Sequence, residues 1–161
     1  MDTLAHGLWS YVVFHKHKYR WLGVLFGVLP DLLAFGPFFL LRLFDGTTLI
    51  VKPVLVHIPT YTYTIYNLTH SLVIFLAVFF LVFLLTKKWF VPLLGWMLHI
   101  LIDIPTHTTA FFPTPYAWPF AAPPINGIRW SDPVFMIVNY LALFSVYFFL
   151  FYRKRTKLRK K

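Results

Sequence analysis

Residues 89–109 read WFVPLLGWMLHILIDIPTHTT, an apolar run of membrane-helix character into which His99, Asp103 and His107 are set four residues apart. If the run is helical, that spacing puts all three side chains on one face. Ionisable groups are costly in lipid, and several aligned on one face call for a shared partner. Imidazoles and carboxylates are the usual ligands of zinc and related transition metals, so a metal-binding role is the favoured reading of this row.

Working outward, the rest of the chain has the same character. Of its 161 residues, 59% are hydrophobic and 21% aromatic, with a mean hydropathy of +0.70. This composition marks an integral membrane protein forming one compact unit, residues 1–161. Three more ionisable residues fall in or beside apolar segments: His6, Asp31 and His70. All five acidic residues are Asp and none is Glu, which confines carboxylate chemistry to a short roster. The absence of cysteine leaves nitrogen and oxygen as the ligands of any metal.

The pattern predicts an all-α transmembrane bundle of about four spans plus a short N-terminal half-membrane or re-entrant helix. Thr3 to Phe14 is too short to cross a bilayer. Trp21 to Phe44 reads as a span broken or kinked at Pro30-Asp31 and Gly36-Pro37. Asp45 to Asn67 reads as a polar connection, and Leu68 to Thr86 as one uninterrupted crossing. Trp89 to about Thr109 is the next span, bent near Pro105. Phe111 to Trp130, rich in Pro and aromatics, cannot be a regular helix. Ser131-Asp132-Pro133 is a helix start, and Val134 to Tyr152 the last span, followed by a basic tail at 153–161. No cleavable signal peptide is expected, because the first basic cluster follows residue 14 and the next apolar run has the length of an anchor.

Basic residues favour the cytoplasmic side. With 16–20, 87–88 and the tail inside, only Arg42, Lys52 and Arg129 lie outside, giving a multi-pass inner-membrane protein with a cytoplasmic C-terminus. At about 1.5 Å per residue, Asp31 and His99 then both stand roughly 16 Å above the inner boundary. His6 stands about 15 Å up, and Asp103, His70 and His107 roughly 22 to 28 Å up. Four separate segments thus bring their ionisable residues to overlapping depths in the outer half of the membrane.

Each residue also has a plainer reading. A single membrane His such as His6 or His70 often just bonds between helices, and Asp31 after Pro30 can cap a half-helix. Arg129 and Trp130, beside the last span, can hold an anionic head group or simply anchor the chain at the interface. His15, His17 and His57 read as solvated or membrane-surface residues, Asp132 as a cap and Asp45 as a turn residue.

The order His6-Gly7, Pro30-Asp31, Thr69-His70-Ser71 and His99-x3-Asp103-x3-His107, within Met1-Asp2-Thr3-Leu4-Ala5-His6-Gly7 and Gly95–His107, resembles a known family. It is similar to the membrane-bound, metal-dependent hydrolases of bacteria and archaea that include the LexA-regulated inner-membrane proteins. Phe112-Pro113-Thr114-Pro115 and Trp118-Pro119 fit as well. The resemblance implies a helical membrane protein with a metal site, remotely similar to zinc-dependent phospholipase C and its nuclease relatives.

Independently of the resemblance, four His and two Asp exceed what one open tetrahedral zinc needs and favour two ions bridged by Asp103 or Asp31. One ion, with the other residues as base and supporting partners, is the alternative. Zinc is the expected metal, with manganese or iron as alternatives. The expected activity is hydrolysis of a phosphoester on a membrane lipid or lipid-linked substrate at the extracytoplasmic leaflet. The competing reading is a non-enzymatic metal-binding or ion-translocating protein. A zinc protease of the His-Glu-x-x-His kind is excluded by the lack of Glu, and no serine has a Gly-x-Ser-x-Gly context. The basic tail fits anionic lipid better than nucleic acid, because it follows a span directly.

Overall fold

The computed structural model describes residues 1–44 and 57–158. Its order is α1 (Thr3–Phe14), α2 (Arg20–Phe44), α3 (Thr60–Thr69), α4 (Leu72–Thr86), α5 (Leu94–Thr106) and α6 (Pro133–Leu158). A single 3-10 turn, Val91–Leu93, leads into α5. The described residues contain no strand, only one isolated bridge between Thr108 and Phe111. The all-α expectation therefore holds for them.

Two of these helices, α2 and α6, are long and apolar enough to cross a membrane, and α3 with α4 makes a third candidate if that pair is one span. The segment expected as a fourth span runs helically only from Val91 to Thr106, about 24 Å at 1.5 Å per residue, short of a full crossing. α1 is also short, as expected. Large apolar side chains cover the outside: Phe44, Leu85 and Phe144 are among the most exposed, and α6 is almost wholly unburied. A surface of this kind suits contact with lipid or with a partner.

Two boundaries differ from the sequence reading. Thr60 to Asn67, assigned to a polar connection, is the body of α3, and the crossing expected from Leu68 to Thr86 is broken at residues 70–71 with a 59° bend. The cause is Ser71, whose Oγ accepts from Val73 N (3.1 Å) and Ile74 N (3.2 Å) and so starts a new helix. Conversely, α2 runs without a break through Pro30 and Pro37. Near the first proline, His99 Nδ1 donates to Gly27 O (2.8 Å), and Thr69 Oγ1, which donates to Ile65 O (2.8 Å), lies 3.4 Å from Pro30 O. Asp45 and part of the predicted connection, 45–56, lie outside the described residues.

Small residues let three helices meet closely. A Cβ on Gly27 would lie 2.0 Å from Ser10 Oγ of α1, and one on Gly95 would lie 2.2 Å from the Gly23 carbonyl. Gly23 and Gly27, four apart on α2, thus admit α1 on one side and α5 on the other, the small-xxx-small contact of membrane helices. Apolar clusters flank this junction: Met1, Ala5 and Leu143 join α1 to α6, while Phe75, Leu93 and Ile100 join α4 to α5. Trp9 Nε1 donating to Asn139 Oδ1 (2.9 Å) adds a polar tie to α6.

The Pro-rich segment after α5 is irregular, as expected, but firmly tied. Gly127 N donates to His107 O, Ile128 N to Pro105 O and Trp130 N to Thr106 O, at 2.8 to 3.0 Å. These bonds satisfy carbonyls that the end of α5 would leave open. Gly127 has to be glycine, since a Cβ there would meet the Pro105 carbonyl at 2.2 Å. At the other end Ser71 Oγ donates to Trp118 O, and Asp132 Oδ1 caps α6 by accepting from Val134 N and Phe135 N.

Candidate metal centre

Asp31 comes from α2 just after Pro30, His70 from the bend between α3 and α4, and His99 and Asp103 from successive turns of α5. The contact of α2 with α5, and the α3–α4 bend bonded to both through Thr69, bring all four together. One ligand atom from each lies within 4.8 Å of the other three. His99 Nε2 is 3.0 Å from His70 Nε2 and 3.1 Å from Asp103 Oδ2. His70 Nε2 is 3.5 Å from Asp103 Oδ2 and 3.5 Å from Asp31 Oδ1, and His99 Nε2 is 3.7 Å from Asp31 Oδ1.

Proton placement makes this cluster unusual. His99 Nδ1 faces the Gly27 carbonyl at 2.8 Å and His70 Nδ1 faces the Tyr66 carbonyl at 3.1 Å. A carbonyl only accepts, so each Nδ1 carries a hydrogen, and each ring, in its neutral form, presents a lone pair at Nε2. The two lone pairs then point at one another, next to Asp103 Oδ2, a buried carboxylate oxygen without a hydrogen-bond partner. Acceptors so arranged repel unless a proton or a metal cation lies among them.

A metal ion fits. Donors about 2.0–2.1 Å from a tetrahedral zinc stand about 3.3–3.4 Å apart, and the five separations above run from 3.0 to 3.7 Å. The backbone carbonyls that fix the two imidazoles are the supporting partners such ligands need. His70 is also stacked on Tyr66, with ring centroids 3.8 Å apart. Asp31 is held by Thr3, whose Oγ1 donates to Oδ2 at 2.7 Å.

The remaining two histidines meet the other side of Asp103. His6 Nε2 lies 2.8 Å from Asp103 Oδ1, and its ring stacks on His99 at 3.8 Å. The Met1 α-amino group bonds to the same carboxylate oxygen and to Thr106 Oγ1. His107 is not on the helical face with His99 and Asp103: it is the extended C-cap residue of α5, with Nδ1 3.5 Å from Asp103 Oδ1. All six expected residues thus converge, but among the described residues only Asp31, His70, His99 and Asp103 form a ligand group. His6 and His107 contact Asp103 at its other oxygen.

Arg129 and Trp130 are brought beside the site by the strap over the end of α5. They line a cavity of about 640 Å³ together with Asp31, His107 and Thr106, and its other wall is Leu32, Phe35, Phe39 and Phe111. Arg129 is exposed, with Nε donating to Ser131 Oγ at 2.8 Å.

The sequence reading had missed Thr3, Tyr66, Thr69, Thr106 and the Gly27 carbonyl. Hydroxyls in apolar helices one turn from a buried ionisable residue, His6 for Thr3 and Asp103 for Thr106, are the signal that finds them. Compared with protein-family models, curated proteins and solved structures, the chain matches none.

Proposed function

We propose that this protein is a membrane-embedded metal-dependent hydrolase acting on a phosphoester of a lipid or lipid-linked substrate. The observation that carries the reading is the cavity: it joins the Asp31 edge of the ligand group to an aromatic wall, with a single guanidinium, Arg129, among its lining residues. Leu32 and Phe39, which line it, are also exposed on the lipid-facing side of α2, so an amphiphile enters sideways from the bilayer. The proposed setting is the extracytoplasmic leaflet of the inner membrane. α5 with its leading turn serves there as a short fourth crossing, and the basic ends stay in the cytoplasm.

Asp31, His70, His99 and Asp103 would hold one divalent ion, zinc by the preference of a mixed nitrogen–oxygen tetrahedral set. When bound, the ion supplies Lewis-acid polarisation of a phosphoryl oxygen. His6, bonded to Asp103 Oδ1, keeps the opposite oxygen turned toward the two imidazoles. Asp31, the ligand that borders the cavity, is positioned by Thr3 to accept a proton from water entering from that side. Arg129 binds the non-reacting anionic oxygens through paired hydrogen bonds, and the aromatic wall excludes bulk water from the acyl side.

A second reading is a metal-binding protein without catalysis. It is favoured by the fact that four residues already complete a tetrahedral set, as in structural zinc sites. The test is release of phosphate or head group from a panel of bacterial phospholipids and polyprenyl phosphates by zinc-loaded protein in mixed micelles. Hydrolysis of one of them, reduced at least about 100-fold in Asp31→Asn, supports the enzyme. Full zinc binding with no hydrolysis across the panel supports the structural reading.

A further inference from the structure

We propose that a groove between α1 and α5, separate from the metal centre, binds an anionic phospholipid of the leaflet at the basic end of the protein. The groove has a volume of about 570 Å³. It is lined by a stripe of α5, Leu94, Leu98 and Leu101 among its members, by Val13 of α1, and by Lys16 and His17 just beyond the C-terminal end of α1. His99 and Asp103 point from α5 into the buried junction, whereas Leu101 and Val13 are about half exposed, so the groove opens toward lipid.

Length and charge choose the occupant. From Val91 to Leu101 the lining spans ten residues, about 15 Å along a helix. That is about half of a ~30 Å hydrocarbon core, the depth of one leaflet. One acyl chain therefore lies along the apolar stripe with its phosphate at Lys16 and His17. Among the described residues no carboxylate lines the groove, and the surrounding sequence, His15-Lys16-His17-Lys18-Tyr19-Arg20, is uniformly basic apart from Tyr19. A zwitterionic lipid would bring its own ammonium or choline group against Lys16, whereas phosphatidylglycerol adds only negative charge and hydroxyls.

The experiment is native mass spectrometry of the detergent-purified full chain incubated with phosphatidylglycerol or with phosphatidylcholine of the same acyl chains. Wild type should retain phosphatidylglycerol about fivefold or more over phosphatidylcholine, since each basic group at a lipid surface is worth about that factor. Lys16→Gln/His17→Gln should abolish the preference while metal content stays unchanged. Leu98→Trp, which fills the groove, should reduce retention of both lipids. Equal retention of the two lipids by wild type overturns the proposal. A preference that survives Lys16→Gln/His17→Gln and disappears in Arg153→Gln/Lys154→Gln/Arg155→Gln also overturns it, because the tail would then be the binding site.

Discussion

Asp103→Asn tests the logic of the centre with almost no change of shape. Asp103 Oδ2 stands 3.1 Å from His99 Nε2 and 3.5 Å from His70 Nε2, while Oδ1 is held by His6 at 2.8 Å. The amide removes the charge and leaves either a weaker oxygen donor or an N–H group facing the imidazoles, where it hydrogen-bonds a lone pair that the metal needs. Four-ligand zinc sites bind with about 10–16 kcal/mol, or roughly 2.5–4 kcal/mol per donor, so losing one should weaken binding about 60- to 700-fold. His107→Ala is the comparison. His107 reaches the centre only through Asp103, and loss of a supporting partner costs about 10- to 100-fold. The assay is competition with a chromogenic chelator on metal-stripped protein in detergent, with helix content and gel-filtration profile as controls for folding. Binding within threefold of wild type by folded Asp103→Asn would refute the assignment of Asp103 as a ligand.

Thr3→Val removes the hydroxyl that holds Asp31 Oδ2 and should weaken metal binding about tenfold without unfolding the protein, read in the same titration. Gly27→Ala drives a methyl into Ser10 Oγ and should destabilise the junction by about 1–3 kcal/mol in thermal denaturation. Adding Ser10→Gly should recover most of that loss, whereas Gly95→Ala, which meets the Gly23 backbone, should have no comparable rescue. Chelation should lower the melting temperature, because metal at about 100 times its dissociation constant contributes about 2.7 kcal/mol to the native state. Since the chain has no native cysteine, single Lys88→Cys and Ile128→Cys variants report sidedness: an impermeant maleimide on intact cells should label position 128 and not 88.

The residues that make the centre were legible in the sequence because each is an ionisable group set in or beside an apolar segment, and charge together with spacing led to the expectation that they meet. Helix starts were legible where a capping side chain preceded an apolar run, as at Asp132 before α6. The division of labour among the ligands was not legible. It depends on which imidazole nitrogen meets a backbone carbonyl, and the Gly27 and Tyr66 carbonyls that decide this belong to neighbouring turns and helices whose rotation no spacing rule supplies. The count of six donors pointed toward two ions, but the geometry gathers four and uses His6 and His107 to orient Asp103. His107 was placed on the helical face by a four-residue interval, yet Pro105 lies two residues before it and the helix ends at Thr106. Ser71 carried the signal for the bend at residues 70–71, and the unbroken apolarity of the following residues concealed it.

The central claim is that two imidazole lone pairs and two carboxylates converge on a divalent cation. Its most direct test is metal content by inductively coupled plasma mass spectrometry on protein purified in detergent without added metal or chelator. About one zinc, or another divalent ion, per wild-type chain is expected, with less than about a tenth of that in a folded His70→Ala/His99→Ala variant. Wild-type protein without stoichiometric divalent metal, and unable to take one up when it is supplied, would contradict the account.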